Sequence, residues 1–176
     1  DRAMGFCLFS NAALAAHYAV TVKKIKRVAV FDWDVHHGNG TQHILENDAR
    51  FAYCSIHQHP LYPGTGLANE RGKYGNVLNI PLPSGSDGDD YIREFEEKVL
   101  PFLQDFNPHL LIISAGFDAA AEDPLAGMNL IPDDFTNLLK KCTQVKKPVL
   151  AGLEGGYNLD VLRRSIVKLI EVIEKY

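Results

Sequence analysis

The sequence lacks the features that mark several special classes of protein. Its three cysteines, Cys7, Cys54 and Cys142, are odd in number and widely spaced, and no CxxC pair is present. This spacing argues against a disulfide framework and a thiolate zinc site, and it favours a reducing compartment, which we expect to be the cytoplasm. No apolar run approaches the roughly 20 residues that cross a bilayer. The first residues carry no secretory signal either, so we expect no membrane partner.

An excess of basic residues is also missing. The 176 residues include 18 Lys plus Arg against 22 Asp plus Glu, a formal net charge of −4, and this balance does not favour nucleic acid as a partner. With 46% hydrophobic and 23% charged residues, the chain has an ordinary globular composition and a length that suits one domain. No Met stands at the first position, and we expect the chain to be part of a longer protein. The composition leaves its oligomeric state open.

Five short apolar runs predict strands that are buried on both faces, as in a parallel sheet. They span residues 28–31, 51–56, 77–80, 110–114 and 149–153. Helical patterns alternate with them: one from a cap at Ser10 to about Val22, one over 91–106 that Pro101 should divide, one near Pro132, and one capped by Asn158. Strands that alternate with helices predict an α/β fold, with a mainly parallel sheet flanked by helices.

Acidic and imidazole side chains follow the first strand. The segment reads Asp32-Trp33-Asp34-Val35-His36, and residues two apart in an extended chain project to the same side. Two carboxylates beside an imidazole repel each other unless a cation lies between them. A divalent metal suits this mixed oxygen and nitrogen donor set.

Two further strand ends carry polar groups. Asp118 follows the fourth apolar run, and a parallel sheet would bring it to the same edge as Asp34 and His36. These three residues would form a zinc site with open positions for water and substrate. After the fifth run, two glycines precede Tyr157, whose hydroxyl could donate to an oxyanion that forms opposite the metal.

Other polar residues nearby have simpler interpretations. His37 lies on the opposite face from His36 and is predicted to be a hydrogen-bonded structural histidine, and Gly38-Asn39-Gly40 is predicted to form a tight turn rather than a phosphate-binding loop. His57 and His59 lie in a predicted loop and remain possible ligands.

Taken together, these motifs resemble the zinc-dependent histone deacetylase family, including its class II, bacterial and acetylpolyamine amidohydrolase members. The resemblance runs from Asp1-Arg2-Ala3-Met4-Gly5-Phe6-Cys7 through the Asp34–Gly38 segment to Ser114-Ala115-Gly116-Phe117-Asp118 and Glu154-Gly155-Gly156-Tyr157-Asn158. It implies the arginase/deacetylase fold, Zn²⁺ as cofactor and hydrolysis of an acetylated lysine side chain or a small acetylated amine.

The resemblance also implies roles for single residues. It assigns the zinc ligands to Asp34, His36 and Asp118 and the transition-state donor to Tyr157. The substrate-binding positions it implies are Phe6, Tyr62, Leu125 and Gly156, of which Leu125 replaces an acidic residue of some polyamine-selective members. Asp32 and Asn39 match residues that orient a pair of catalytic histidines, and Asp32 with Ser55 matches a potassium site.

One departure from the family pattern concerns that histidine pair. In the family, the pair lies shortly before the segment that matches residues 1–7, so we expect residues 1–176 to be the C-terminal portion of a single catalytic domain that is incomplete at its N-terminus. By itself this portion could turn over little or no substrate. Two alternatives remain: a deacetylase-like module that binds metal without catalysis, and a binuclear manganese enzyme similar to ureohydrolases.

Overall fold

The computed structural model of the chain describes residues 2–145 and 148–175; Asp1, where the resemblance begins, lies outside them. All five predicted strands are present. They are β1 (Val28–Asp32), β2 (Phe51–Gln58), β3 (Val77–Leu82), β4 (Leu110–Ala115) and β5 (Val149–Leu153). They form one parallel sheet in the order β3-β2-β1-β4-β5. The predicted α/β architecture is therefore confirmed.

Helices cover both faces of this sheet. They are α1 (Asn11–Thr21), α2 (Asn39–Leu45), α3 (Gly88–Glu94), α4 (Leu100–Phe106), α5 (Pro132–Val145) and α6 (Leu159–Ile173). Side chains of β1 alternate between the faces: Ala29 and Phe31 enter the larger core, which includes residues of α3–α6, whereas Val28 and Val30 enter the smaller core, which includes residues of α1 and α2. The centre of the sheet is thus buried on both sides, as its continuous apolar runs predict.

The predicted helix starts are found where polar side chains cap the backbone. The Ser10 hydroxyl accepts a hydrogen bond from the Ala13 amide at the start of α1, and Asn158 accepts from Asp160 and Val161 at the start of α6. Such caps satisfy amides that have no partner within the helix. Pro132 is the first residue of α5, where its missing N–H costs no hydrogen bond.

Pro101 divides the helical region over 88–106, as predicted. The structure has α3, then a π-helical turn over Phe95–Val99, then α4 from Leu100 onward. Proline cannot donate an intrahelical hydrogen bond, and the wider turn directly before it marks where the regular α pattern is interrupted.

Two expectations are wrong. Residues 38–40 do not form an isolated tight turn, because Gly38 is the N-cap of α2 and Asn39 begins that helix. Strand β5 is not buried on both faces: Val149 is half-buried and the next four residues are exposed. A run of apolar residues predicts a strand, but it does not show whether helices cover that strand.

The outer edge of β5 is accordingly an apolar surface. Leu150 and Leu153 are 47% and 56% exposed, and among the described residues only β4 pairs with this strand. Exposed apolar sheet edges promote association between chains. No helix in the described part of the chain is both long and apolar enough to span a membrane.

We expect the 176-residue chain to self-associate through β5. Replacing Leu150 by Lys places a charge on this edge and should shift the population towards smaller species in size-exclusion chromatography with light scattering. Leu14→Lys, at a similarly exposed leucine of α1, is the matched control and should leave the distribution unchanged. A monodisperse monomer of the unmodified chain would contradict the prediction.

Candidate metal centre

The candidate site lies at the carboxyl edge of the sheet, between β1 and β4. From β1 the chain runs outward to β2 and β3, and then returns to the other side of β1 to form β4 and β5. In such sheets, the point where the strand order reverses opens a crevice at the carboxyl ends. Asp32 of β1 and Ser114 of β4 are register partners, so the segments that follow them start side by side.

Asp34, His36 and Asp118 meet in this crevice. Each offers one ligand atom, and these atoms all lie within 4.8 Å of one another. The Nδ1 atom of His36 is 3.0 Å from Asp118 Oδ2 and 3.2 Å from Asp34 Oδ1. Ligands of a tetrahedral zinc at about 2.0 Å are about 3.3 Å apart. The two distances from His36 Nδ1 are therefore close to those expected around a single divalent ion.

Backbone amides hold the two carboxylates in this arrangement. Asp118 Oδ1 accepts from the Val35 amide at 3.0 Å, and Asp34 Oδ2 accepts from the Gly155 amide at 2.9 Å. The His36 amide donates to Asp34 Oδ1 at 2.9 Å. Hydrogen bonds from outer groups fix the direction of metal ligands and tune their basicity. Each carboxylate thus accepts a hydrogen bond from the backbone of a distant segment. Asp34 also accepts one from the amide two residues further along its own segment.

Two glycines leave room for the carboxylates. A Cβ atom on Gly155 would lie 2.1 Å from Asp118 Oδ2 and 2.7 Å from Asp34 Oδ2, and one on Gly116 would lie 2.2 Å from Asp34 Oδ2. Real Cβ atoms do not approach oxygen this closely. Glycine is required at both positions because the backbone itself forms one wall of the site.

The electrostatics of the cluster favour a positive charge at this place. Burial, together with the charge of Asp34, raises the pKa of Asp118 to about 6. Burial works against protonation of His36, but hydrogen bonds and charge from Asp118 and Asp34 outweigh it and raise the pKa of His36 to about 10. The two carboxylates therefore hold a proton on the imidazole, and a divalent cation would supply the same compensation at the same place.

Three aromatic rings lie around the cluster. The Tyr62 ring packs edge-on against His36 with centroids 6.3 Å apart, and its hydroxyl accepts a hydrogen bond from the Gly5 amide at 3.0 Å. The Phe6 ring, 88% exposed, packs edge-on against Tyr157 with centroids 6.0 Å apart. The structure thus brings the predicted wall residues Phe6 and Tyr62 to the same edge as the predicted metal ligands.

Asp123, which the sequence analysis did not identify, connects Tyr157 with the predicted rim residue Leu125. The Asp123 carboxylate accepts from the Tyr157 amide at 2.7 Å through Oδ2 and from the Leu125 amide at 3.0 Å through Oδ1. Gly156, directly before Tyr157, has a φ of +144°, which only glycine adopts readily. Burial, followed by the charges of Asp118 and Asp34, raises the pKa of Tyr157 to about 12, so its hydroxyl keeps its proton at neutral pH.

Asp32, Ser55 and Asn39 lie beside the cluster. Asp32 and Ser55 are buried register partners on β1 and β2. Asp32 accepts from the Tyr53 hydroxyl at 2.9 Å and from the Asp34 amide at 3.1 Å, and burial, followed by the charge of Asp34, raises its pKa well above the ordinary value. The Asn39 side chain donates to the Met4 sulfur at 3.3 Å. The predicted cation-binding and histidine-orienting roles of these residues remain predictions.

His37 is a satisfied structural histidine, as predicted. Gln42 donates to the Glu70 carboxylate, which orients its amide so that Gln42 Oε1 accepts from His37 Nε2 at 2.8 Å. His37 Nδ1 then accepts from the Thr65 hydroxyl at 2.8 Å. Burial is the main cause that lowers the pKa of His37, so the ring is neutral.

His57 and His59 do not join the three metal-binding candidates. His57 lies in β2 rather than in the predicted loop, and it donates from Nε2 to the Gly66 carbonyl at 3.0 Å while Nδ1 accepts from the Ser55 hydroxyl at 2.9 Å. Burial, followed by the neighbouring His37 ring, lowers the pKa of His57 to about 4. His59 follows the end of β2 and is absent from the ligand group found among the described residues.

Comparison with known proteins gives the family of the chain independently of this geometry. The histone deacetylase domain family matches residues 1–173. An uncharacterized protein of Synechocystis sp. is 52% identical over 171 residues, which cover 97% of this chain and 56% of that protein. Histone deacetylase 15 of Arabidopsis thaliana is 44% identical over 98% of this chain and 32% of that protein.

Solved structures give the same result. The crystal structure of the HDA15 HD domain superposes with a TM-score of 0.93 at 42% identity, covering 97% of this chain and 50% of that one. An acetylpolyamine aminohydrolase from Burkholderia pseudomallei superposes with a TM-score of 0.88 at 33% identity, covering 97% and 51%. The chain spans about half, or less, of the length of these relatives. It belongs to the histone deacetylase family.

Proposed function

We propose that the protein containing this chain is a zinc-dependent amidohydrolase that removes acetyl groups from acetyl-lysine side chains or related acetylated amines. The observation that carries the proposal is the convergence of one atom each from Asp34, His36 and Asp118 within 4.8 Å. Membership of the histone deacetylase family and the likeness to an acetylpolyamine aminohydrolase support hydrolysis of an amide. Residues 1–176 would supply the C-terminal portion of a single catalytic domain.

The zinc ion would be held by Asp34 and Asp118 through oxygen and by His36 through Nδ1. Bound there, zinc supplies a Lewis acid for the acetyl carbonyl and for a water molecule. The amides of Val35 and Gly155 keep the carboxylates directed inward. Because these amides are part of the fold, the ligands need little reorganisation when the ion enters.

Tyr157 would donate a hydrogen bond to the oxygen on which negative charge develops. A raised pKa of about 12 keeps the phenol protonated, which a donor requires. A fixed donor aimed at a developing oxyanion is worth roughly two to three orders of magnitude in turnover.

The substrate would enter between the aromatic rings of Phe6 and Tyr62, with Gly156 and Leu125 completing the binding region. Aromatic walls suit the apolar methylene chain of a lysine side chain whose charge acetylation has removed. Leu125 is exposed and uncharged, which favours a substrate with a neutral tail over a cationic polyamine.

The proton transfers need a base that the described residues near the site do not offer. His37 and His57 each have both ring nitrogens in hydrogen bonds. We infer that an adjacent histidine pair outside this chain takes up the proton of the water and passes it to the amine, and that Asp32 and Asn39 orient the pair. Asp32 and Ser55 would also contribute to a potassium site.

We further propose a cytoplasmic location for the protein. All three cysteines are free thiols, and Cys54 and Cys142 are buried, which suits a reducing compartment. The binuclear manganese alternative has less support, because the described residues supply one group of three candidate ligands rather than the bridging carboxylates of a two-metal site.

Gly155→Ala should weaken Zn²⁺ binding by about 10- to 100-fold, since the added methyl group displaces the carboxylates that Gly155 now contacts. Isothermal titration with Zn²⁺ measures the change. Gly152→Ala, where a Cβ would meet nothing within 4 Å, is the matched control. Equal affinities of the two variants would refute the idea that close backbone approach shapes the metal centre.

Tyr157→Phe should lower kcat on an acetyl-lysine peptide by about 100-fold or more in the full-length protein, because the variant lacks the oxyanion donor. Metal analysis should still find one zinc per chain. Tyr74→Phe, at an exposed tyrosine outside the site, serves as control. A full-length protein that binds zinc but hydrolyses no acetylated amine would support the non-catalytic module instead.

A further inference from the structure

Asp123 occupies an unusual position for a residue outside the metal centre. Its side chain is only 7% exposed, and its two oxygens accept hydrogen bonds from two different segments. One segment carries Leu125 at the rim, and the other carries Tyr157. Because a carboxylate forms hydrogen bonds that are stronger than those of neutral acceptors, Asp123 connects these segments firmly.

The segment that carries Asp123 is itself held in place. The Asp123 amide donates to the Ala120 carbonyl at 2.9 Å, and the adjacent backbone is joined to Leu130 by hydrogen bonds at Ala119 and Ala121. A second connection runs alongside, in which the Asn158 side chain donates to the Glu122 carbonyl at 2.9 Å. The Asp123 carboxylate therefore projects from a fixed base.

The segment that carries Tyr157 is held on both sides of that residue. On one side the Gly155 carbonyl accepts from the Phe117 amide at 2.7 Å, and on the other Asn158 caps α6. Two consecutive glycines precede Tyr157, and Gly156 has a positive φ. The Gly155 amide is bound to Asp34, but the next backbone amide with a described partner is that of Tyr157 itself, bound to Asp123 at 2.7 Å. The Tyr157 side chain is 39% exposed, with the Phe6 ring against its edge. The position of the Tyr157 ring therefore depends on the hydrogen bond that holds its backbone amide.

We propose that Asp123 is a positioning residue that fixes Tyr157 relative to the metal centre and, through its other oxygen, fixes the rim at Leu125. This inference rests on the proposed function, in which Tyr157 stabilises the oxyanion and Leu125 contacts the substrate. Loss of Asp123 should therefore affect two kinetic constants through two different groups: kcat through Tyr157 and KM through Leu125.

A double-mutant cycle in the full-length protein tests this assignment. Asp123→Ala should lower kcat by about tenfold to a hundredfold, the range expected when a catalytic group shifts by about 1 Å. In the Tyr157→Phe background the same substitution should leave kcat unchanged and still raise KM. An equal fall in kcat in both backgrounds would overturn the proposal, because a general loss of folded protein acts on both alike.

Two further variants, Glu122→Ala and Asp123→Asn, separate the proposed role of Asp123 from a loss of folding. Glu122→Ala removes the neighbouring carboxylate, which pairs with Arg164 at the surface, and should leave both constants unchanged. Asp123→Asn keeps the shape of the side chain but has one acceptor oxygen for two amides, so it replaces Asp123→Ala in the cycle if the alanine variant does not fold. It should lower kcat less than Asp123→Ala does.

Hydrogen exchange gives a readout that is independent of turnover. In Asp123→Ala, the amides of Tyr157 and Leu125 should exchange faster together, while the Gly155 amide, bound to Asp34, should keep its protection. Unchanged exchange at Tyr157 and Leu125 would overturn the proposal. If Tyr157→Phe turned over normally, the proposed donor role would fail, and the exchange result would still decide whether Asp123 fixes both segments.

Discussion

The site depends on one unfavourable interaction, the convergence of two carboxylates at the edge of a parallel sheet. Asp34 and Asp118 are brought within reach of one imidazole nitrogen, and burial prevents water from screening their charges. Without a cation the cluster keeps a proton on His36. Such an arrangement does not serve stability, since the ionised carboxylates repel each other. A cation bound between them would compensate this repulsion.

Neighbouring features of the edge maintain this convergence. The central strand β1 has partners on both sides, so the segments after β1 and β4 begin side by side. Gly116 and Gly155 allow the backbone to approach the carboxylates, and the Gly155 amide binds Asp34. A side chain at either glycine would occupy the position of a carboxylate oxygen. The shape of the candidate metal centre therefore depends on the two glycines as well as on the three candidate ligands.

Much of the fold and of the candidate site could be predicted from local pattern. Buried parallel strands produce continuous apolar runs, and polar residues just beyond neighbouring strands meet at one edge. The convergence of Asp34, His36 and Asp118 could therefore be expected without coordinates, while their role as metal ligands stays a prediction. The start of α2 at Asn39 and the exposure of β5 could not be predicted in this way. Both depend on which other elements pack against a segment, and the local sequence of the segment does not show this.

Asp123 shows why the second layer of the site is harder to predict. Its sequence neighbourhood resembles a turn, and its bond to the Leu125 amide is a local contact that a turn would explain. Its bond to the Tyr157 amide spans 34 positions and exists only once the sheet has formed.

The same kind of contact occurs at the candidate metal centre, where Asp118 and Asp34 accept hydrogen bonds from backbone amides of distant segments. A charged acceptor that receives a backbone donor from another segment fixes distance and direction together. In the proposed assignment, Asp123 connects the segment of Leu125 with that of Tyr157, so a substitution near Leu125 would alter the position of Tyr157 without direct contact.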